Sequence, residues 1–217
     1  MSRRPTPKKY ETTHLTIRCN NKEFLFDLKN TFDQLVSWLN SMPLFFEVQL
    51  HHVIFMSNHI HLLLTPTKNN LGDALSYFLT NTAKFLNHNN NRINHVFGGR
   101  YCPTTIDEDR HLINVVRYIY QNPVHANIVR TPTEYRYSSL GDYLAFYKSG
   151  IILTPDTYTL NLFKNGWEGW NHWQATINNK IPEHDTNQIR TSLKRSKFKY
   201  TEKQYRIIKK TGTTLNL

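Results

Sequence analysis

Ser57-Asn58-His59-Ile60-His61-Leu62-Leu63-Leu64 is the stretch on which the fold turns. It lies in a longer apolar run, Val53 to Thr65, that Pro66 closes. Runs rich in Val, Ile, Phe and Leu and bounded by proline read as β-strand. Strand side chains alternate between faces, so His59 and His61 share one face, while Ile60, Leu62 and Leu64 point into a core. Two neutral imidazoles side by side on a rigid strand make half of a metal site. A third ligand must come from elsewhere, and open positions must remain if a substrate is to be handled. Taken alone, the pair reads more readily as two packed or solvent-facing histidines, because the pattern is short. Residues further along the chain reverse that balance.

Upstream, Thr12 to Arg18 reads as a first strand, which Asn20-Asn21 ends. Asn30 or Thr31 caps a helix whose Phe32, Leu35, Val36 and Leu39 have amphipathic spacing, and Pro43 is expected to stop it. Phe45 to Phe55 reads as a second strand, and Asn58 turns the chain into the His59 strand. Downstream, Leu71 to Asn87 forms an amphipathic helix. Val96-Phe97-Gly98-Gly99-Arg100-Tyr101 makes a turn that leads into extended chain to Ile106. A third helix runs from about Arg110 to Gln121 and is expected to end before Pro123, since the residue before proline avoids the helical region. The order β-α-β-β-α-β-α predicts an α+β, ferredoxin-like split βαβ fold: an antiparallel sheet with helices on one face.

A chain of 217 residues with 39% apolar content can bury one full core and carry an appendage. No run approaches the roughly 18 apolar residues of a membrane span. The basic start, Met1 to Pro5, has no apolar segment behind it, so no secretory signal is expected. Cys19 and Cys102 support neither a disulfide framework nor a four-cysteine zinc site, and read as reduced, partly buried thiols. The net charge of +11 is concentrated in the two ends. Residues 1–9, expected to be disordered, carry Arg3, Arg4, Lys8 and Lys9 and no acid; residues 190–217 carry nine basic groups and one acid. That pattern implies a phosphate-bearing partner. Trp167, Trp170 and Trp173 recur every three residues and read as packing against the main core, and Thr201 to Ile208 reads as one short helix.

The third helix adds the chemistry. Leu112, Val115, Val116 and Ile119 form its buried stripe, with His111, Asn114, Tyr118 and Asn122 in a polar row beside it. Tyr118 and Asn122 are one turn apart on one face; Tyr120 shares a side with Ile113 and Val116 and reads as structural. A tyrosine beside a metal site points to phosphoryl transfer, because a cation held by His59 and His61 can polarise a phosphate for in-line attack. Asn122 is placed to supply the third, oxygen ligand. A set of two imidazoles and an amide oxygen suits Mg2+ or Mn2+ better than a structural zinc cage does.

The run His51 to Leu64 resembles the HUH motif of the single-tyrosine transposases, and most closely the branch associated with repetitive extragenic palindromes (REP). Val96-Phe97-Gly98-Gly99-Arg100-Tyr101 is similar to that branch's glycine-arginine segment. Arg117-Tyr118-Ile119-Tyr120-Gln121-Asn122-Pro123-Val124 is similar to its tyrosine helix, and Tyr137-Ser138-Ser139 to its aromatic-serine-serine element. The resemblance covers residues 10–147 and implies an HUH nuclease domain there, after a basic arm over 1–9 and before an extension over 148–217. It implies an enzyme that nicks single-stranded DNA at hairpin-associated sites and rejoins it through a 5′-phosphotyrosine. By position, Tyr118 would be the nucleophile, and His59, His61 and Asn122 the metal ligands. Ser57 stands where the family has proline, and His125 where arginine is common.

The expected partner is single-stranded or hairpin DNA, gripped by Arg3, Arg4, Lys8, Lys9, Arg18, Arg100, Arg117, Lys194, Arg195, Lys197 and Lys199. The expected setting is a prokaryotic cytoplasm, at the nucleoid. Monomer and homodimer are both compatible, as is a site completed by the chain's own helix or by a swapped one. Two competing readings remain: a domesticated, catalytically silent hairpin-binding protein, and a phosphodiesterase in which water attacks and the tyrosine is structural.

Overall fold

The computed structural model describes residues 7–99 and 101–199. Arg3, Arg4, Arg100 and the helix expected over 201–208 lie outside the described residues. The strands are β1 (Thr13–Arg18), β2 (Val48–Met56), β3 (His59–Pro66) and β4 (Cys102–Thr105). Helices α1 (Leu28–Leu39) and α2 (Ser41–Phe45) join β1 to β2, and α3 (Leu71–Asn89) joins β3 to β4. After β4 come α4 (Asp109–His125), α5 (Leu140–Leu144), α6 (Thr157–Lys164), α7 (Gly166–Asn178) and α8 (Glu183–Ser192). The sheet order is β2-β3-β1-β4, with every neighbouring pair antiparallel, which is the ferredoxin-like arrangement. No helix among the described residues is long and apolar enough to cross a membrane.

Later chain covers both edges of the sheet. On the β2 edge, Phe55 N donates to Tyr137 O and Ser139 N to Val53 O, both at 2.9 Å. On the β4 edge, Thr105 N donates to Ser196 O at 2.8 Å and Phe198 N to Thr105 O at 2.9 Å. An open edge would expose a row of unpaired backbone groups, so this closure protects the sheet from pairing with a second chain.

The two faces of the sheet differ in chemistry. One carries Leu15, Ile17, Phe55, Ile60 and Leu62, all buried, and Phe32 of α1 meets Phe55 edge-on at 5.5 Å. Helix α3 packs beside α1 there, with Trp38 against Phe85 at 5.2 Å. Each such buried side chain contributes about 1.5–3 kcal/mol. The register Thr16↔His61↔Ile54 and Arg18↔His59↔Met56 puts the histidines on the opposite face. A single-residue bulge at His51, between Leu50↔Leu64 and His52↔Leu63, brings His52 to that same face. The expectation of helices on one face holds for α1 and α3; α4 crosses to the histidine face, where Tyr118 meets the His61 ring and Tyr120 the His52 ring.

Two prolines act differently from expectation. Pro43 does not close the structure behind α1; it lies in the first turn of α2, where no backbone donor is required of it. Pro123 sits inside α4, which continues to His125. The proline removes the N–H that Ile119 O would accept, and Asn122 Nδ2 replaces it, donating to Ile119 O at 3.2 Å and to Tyr118 O at 2.7 Å. The described part of the expected disordered arm is also held: Pro7 is buried and Lys9 N donates to Asn69 Oδ1 at 3.2 Å. Of the cysteines, Cys19 is buried and Cys102 exposed.

A polar network fastens the C-terminal helices to the sheet. His52 Nε2 donates to Asp156 Oδ2 at 2.7 Å, and Nδ1 lies 2.7 Å from Tyr120 Oη, which is 2.8 Å from Ser139 Oγ. Asp156 also caps α6 through Thr159 N at 3.0 Å. Trp173 of α7, fully buried, packs against Tyr120, Tyr143 and His52, whereas Trp167 is exposed and stacks on Trp170. Burial alone would raise the Asp156 carboxyl, but the His52 hydrogen bond and charge, with Thr159, hold it well below its usual 3.8. Its contribution is therefore complete above the unfolded value and lost as pH falls through the lower folded one. Removing one partner of a buried pair costs about 3–5 kcal/mol. Urea unfolding at pH 7 should show a loss of that order for Asp156→Ala. Between about pH 5 and pH 2, wild type should lose stability more steeply than Asp156→Asn, whose amide cannot ionise.

Candidate active site

Three elements converge on the histidine face. Strand β3 supplies His59 and His61, β1 supplies Thr16 and Arg18 directly opposite them, and α4 supplies Tyr118 and Asn122. These side chains line one cleft of about 540 Å³. His125, Arg190 and Lys194 close it from the side of the C-terminal helices. The Tyr118 ring stands edge-on to His61 at 5.6 Å between centroids, and His59 stands edge-on to His61 at 4.9 Å. The tyrosine and the imidazoles thus meet within one chain.

The hydrogen bonds decide which ring atoms face the cleft. His61 Nδ1 lies 2.9 Å from His14 Nε2 and 3.2 Å from Thr16 Oγ1, while His61 Nε2 is buried with no hydrogen-bond partner. His59 Nδ1 lies 2.5 Å from Asn58 Oδ1, which leaves its Nε2 for the cleft. An imidazole anchored through one nitrogen and bare at the other has the form of a metal ligand. Burial pushes His59 down to about 4 and His61 well below its usual value, so both rings are neutral at pH 7. His14, beneath His61, is pushed down to about 3 by burial and is neutral too.

Asn122 completes the group. Its Nδ2 is committed to the two carbonyls of α4, so its Oδ1 is the end that faces away from the helix axis. The side chain favours the charged form of both His59 and His61, as an oxygen facing the two rings does. No group of three His, Cys, Asp or Glu side chains that could hold a metal occurs among the described residues. Asn122 Oδ1 offers an oxygen donor on the side of the two rings. The set fits a divalent cation: two imidazoles each anchored through Nδ1, and an amide oxygen on the side of both rings.

Tyr118 is 7% exposed, and its phenol is pushed above its usual 10 by burial, opposed by hydrogen bonding from Arg190 and by the charges of Arg190 and Arg18. Tyr120, two residues on, has no exposure and is consumed by the His52 and Ser139 contacts.

The structure sorts the basic residues expected to contact DNA. Arg18 and Lys194 line the cleft. Lys8 and Lys9 lie at the other end of β1, by Glu11 and Asn69. Lys197 pairs with Asp107 at 3.1 Å, and Arg195 and Lys199 are exposed beyond α8. Arg117 is the correction: it is buried and donates to Asn179 O at 2.8 Å, so its guanidinium fastens α4 to the chain after α7. Three residues of this region escaped the sequence reading. Arg190 was one of nine basic groups in a tail without a motif; His14 and Thr16 were two polar positions in a strand. The alternation that paired His59 with His61 could have singled out His14 and Thr16 once the β1–β3 register was known. Where the family resemblance leads to arginine, the chain has His125, and the guanidinium in that part of the cleft comes from α8.

The family model for IS200-like transposases matches residues 9–122, just over half of the chain. Among solved structures, a REP-associated tyrosine transposase bound to a REP hairpin aligns at 17% identity over 73% of this chain and 96% of that chain, with a TM-score of 0.56. That likeness shows the fold. A transposase-like protein from Deinococcus radiodurans R1 aligns at 17% identity over 54% of this chain and 95% of that chain, with a TM-score of 0.38. No curated protein sequence matches the chain.

Asn122→Ala tests the local geometry. It strips two carbonyls of their side-chain donor where Pro123 has already removed a backbone one. A loss of about 1–2 kcal/mol in thermal or urea unfolding is expected, in the range for unmade buried hydrogen bonds.

Proposed function

The chain belongs to the IS200-like transposase family, and on that premise we propose that it nicks and rejoins single-stranded DNA at hairpin-associated sites, with Tyr118 as the nucleophile. The observation that carries the proposal is the meeting, in one cleft, of the Tyr118 ring with His61, His59 and Asn122. Residues 10–147 would form the nuclease unit and 148–217 an extension, whose segment around Ile177 to Ile181 buttresses α4. Hairpin DNA is the proposed partner, because a protein of the same fold is seen bound to one; work on DNA would place the protein at the nucleoid. The cleft supports this with Arg18, Arg190 and Lys194 and no carboxylate among its described lining, so the field inside it favours phosphate.

His59 Nε2, His61 Nε2 and Asn122 Oδ1 would hold Mg2+ or Mn2+, whose chemistry when bound is to withdraw charge from a phosphate oxygen. His14 and Thr16 keep His61 turned so that its Nδ1 is occupied and its Nε2 faces the cleft. Tyr118 Oη forms a bond to phosphorus as the bond from phosphorus to the 3′ oxygen breaks. The phenol proton leaves to solvent and the departing 3′ oxygen takes one up, giving a free 3′-hydroxyl and a 5′-phosphotyrosine. Because one phosphoester replaces another, the reverse attack by a 3′-hydroxyl rejoins a strand without ATP. The Tyr118 ring rests edge-on to His61 in the cleft that Arg18 also lines, so a phosphate held by Arg18 would lie in the same cavity as the nucleophile.

A denaturing gel tests the reading with labelled hairpin DNA from the gene's flanks and Mn2+ or Mg2+. Wild type should give a slow-migrating covalent adduct that chelator abolishes. Tyr118→Phe should give none, while binding the hairpin within about 3-fold of wild type, since one hydroxyl is lost and the charged surface is kept. Cleavage without an adduct would replace the reading by hydrolysis, and binding without cleavage would replace it by a hairpin-recognition protein.

A further inference from the structure

Helix α8 lies outside the segment that matches the family model, yet it reaches into the cleft. Arg190, in its last turn, is exposed at the rim and lines the same cleft as Tyr118, His59 and Asn122; within α8 its guanidinium donates to Asn187 Oδ1 at 3.4 Å. The helix that carries it is fixed at both ends. Near its start, Thr186 Oγ1 lies 3.2 Å from His125 Nε2 of α4. Just past its end, Leu193 O and Arg195 O both accept from Thr104 Oγ1 of β4, at 2.8 Å each. Ile189 and Leu193 are buried against the core. The helix that brings Arg190 to the cleft beside Tyr118 is therefore fixed by the fold, and is not a loose tail.

We infer that Arg190 is a catalytic residue of the proposed nicking reaction, one that orients the Tyr118 oxygen and binds a non-bridging oxygen of the scissile phosphate. This rests on the nicking reading given above. A guanidinium presents five donors in a planar fork and stays protonated throughout. One donor can hold Tyr118 Oη while another meets a phosphate oxygen, so a single side chain sets the distance between nucleophile and phosphorus. Arg190 gives up no proton in the step; its charge opposes the negative charge that gathers on the phosphate oxygens in the transition state. Arg18, across the cleft on β1, would hold the phosphate from the other wall. The extension after residue 147 thereby acquires a chemical role beyond buttressing.

The test compares wild type, Arg190→Ala and Arg190→Lys in single-turnover adduct formation on the labelled flanking hairpin with Mn2+, alongside equilibrium binding of the same hairpin and thermal unfolding. Because Arg190 is exposed, the unfolding curves should coincide. Arg190→Ala should form the adduct about 100–1,000-fold more slowly, the range for loss of one transition-state donor. Arg190→Lys should recover part of the rate, as a point charge without the fork. Hairpin affinity should change by less than about 3-fold, since one of many phosphate contacts is lost. Adduct formation by Arg190→Ala within about 3-fold of wild type would overturn the assignment while leaving the nicking reading intact. Equal losses in rate and in hairpin affinity would also overturn it, by making Arg190 an ordinary DNA contact. If wild type itself forms no adduct on the hairpin, the nicking reading falls and this inference falls with it.

Discussion

A buried carboxylate and a buried imidazole, Asp156 and His52, meet at 2.7 Å under the C-terminal helices, and much of the molecule follows from that contact. A carboxylate taken out of water is costly unless a partner and hydrogen bonds replace its hydration. Asp156 finds that replacement in His52 of β2 and in the backbone and side chain of Thr159, which complete the cap of α6. The chain after α5 must therefore return to the sheet. In doing so it lays Trp173 against Tyr120 and Tyr143, binds Arg117 and Gln121 of α4 to the carbonyl of Asn179, and carries α8 over the open end of the histidine face. The segment that looked like an appendage in the sequence is part of the core that positions α4.

The same sheet face holds two histidines with opposite fates. His52 has both nitrogens bonded, to Asp156 and Tyr120, and is sealed. His61 has Nδ1 bonded and Nε2 bare, next to a cleft that admits solvent-sized groups. That contrast separates the structural histidine from the ligand-like one more firmly than exposure does, since both are nearly inaccessible. Asn122 shows the same division within one side chain. Its amide nitrogen repairs the helix around Pro123, and its oxygen is left to the two imidazoles. The proline is thus tolerated in α4 because the proposed ligand sits just before it.

The strand carrying His59 and His61, the hairpin turn at Asn58 and the amphipathic helices α1, α3 and α4 were all legible in the sequence. So were the ferredoxin-like order and the position of Tyr118 and Asn122 on one helix face. The misreadings have physical causes. Pro43 and Pro123 were read by a local rule that holds for helix interiors, whereas one falls in a first turn and the other has a side-chain donor at hand. Arg117 was counted as a surface cation because its neighbours in sequence gave no sign of the carbonyl it meets on a distant segment. Trp167 and Trp173, alike in the stripe, part company because α7 offers only one face to Tyr120 and Tyr143.

The sequence by itself determined the elements and the faces they present, because alternation along a strand and the turn of a helix are written within a few neighbouring residues. That sufficed for the histidine pair, the tyrosine helix and the family resemblance. Only the tertiary structure decided which atoms those residues expose and what else joins them. The β1–β3 register placed His14 and Thr16 behind His61. The His52–Asp156 contact, between residues 104 apart, drew the C-terminal helices onto the sheet. The docking of α8 brought Arg190 into the cleft that Tyr118 lines. Contacts of this kind leave no periodic trace in the chain, since they depend on two distant surfaces closing together and on the cost of burying a charge alone.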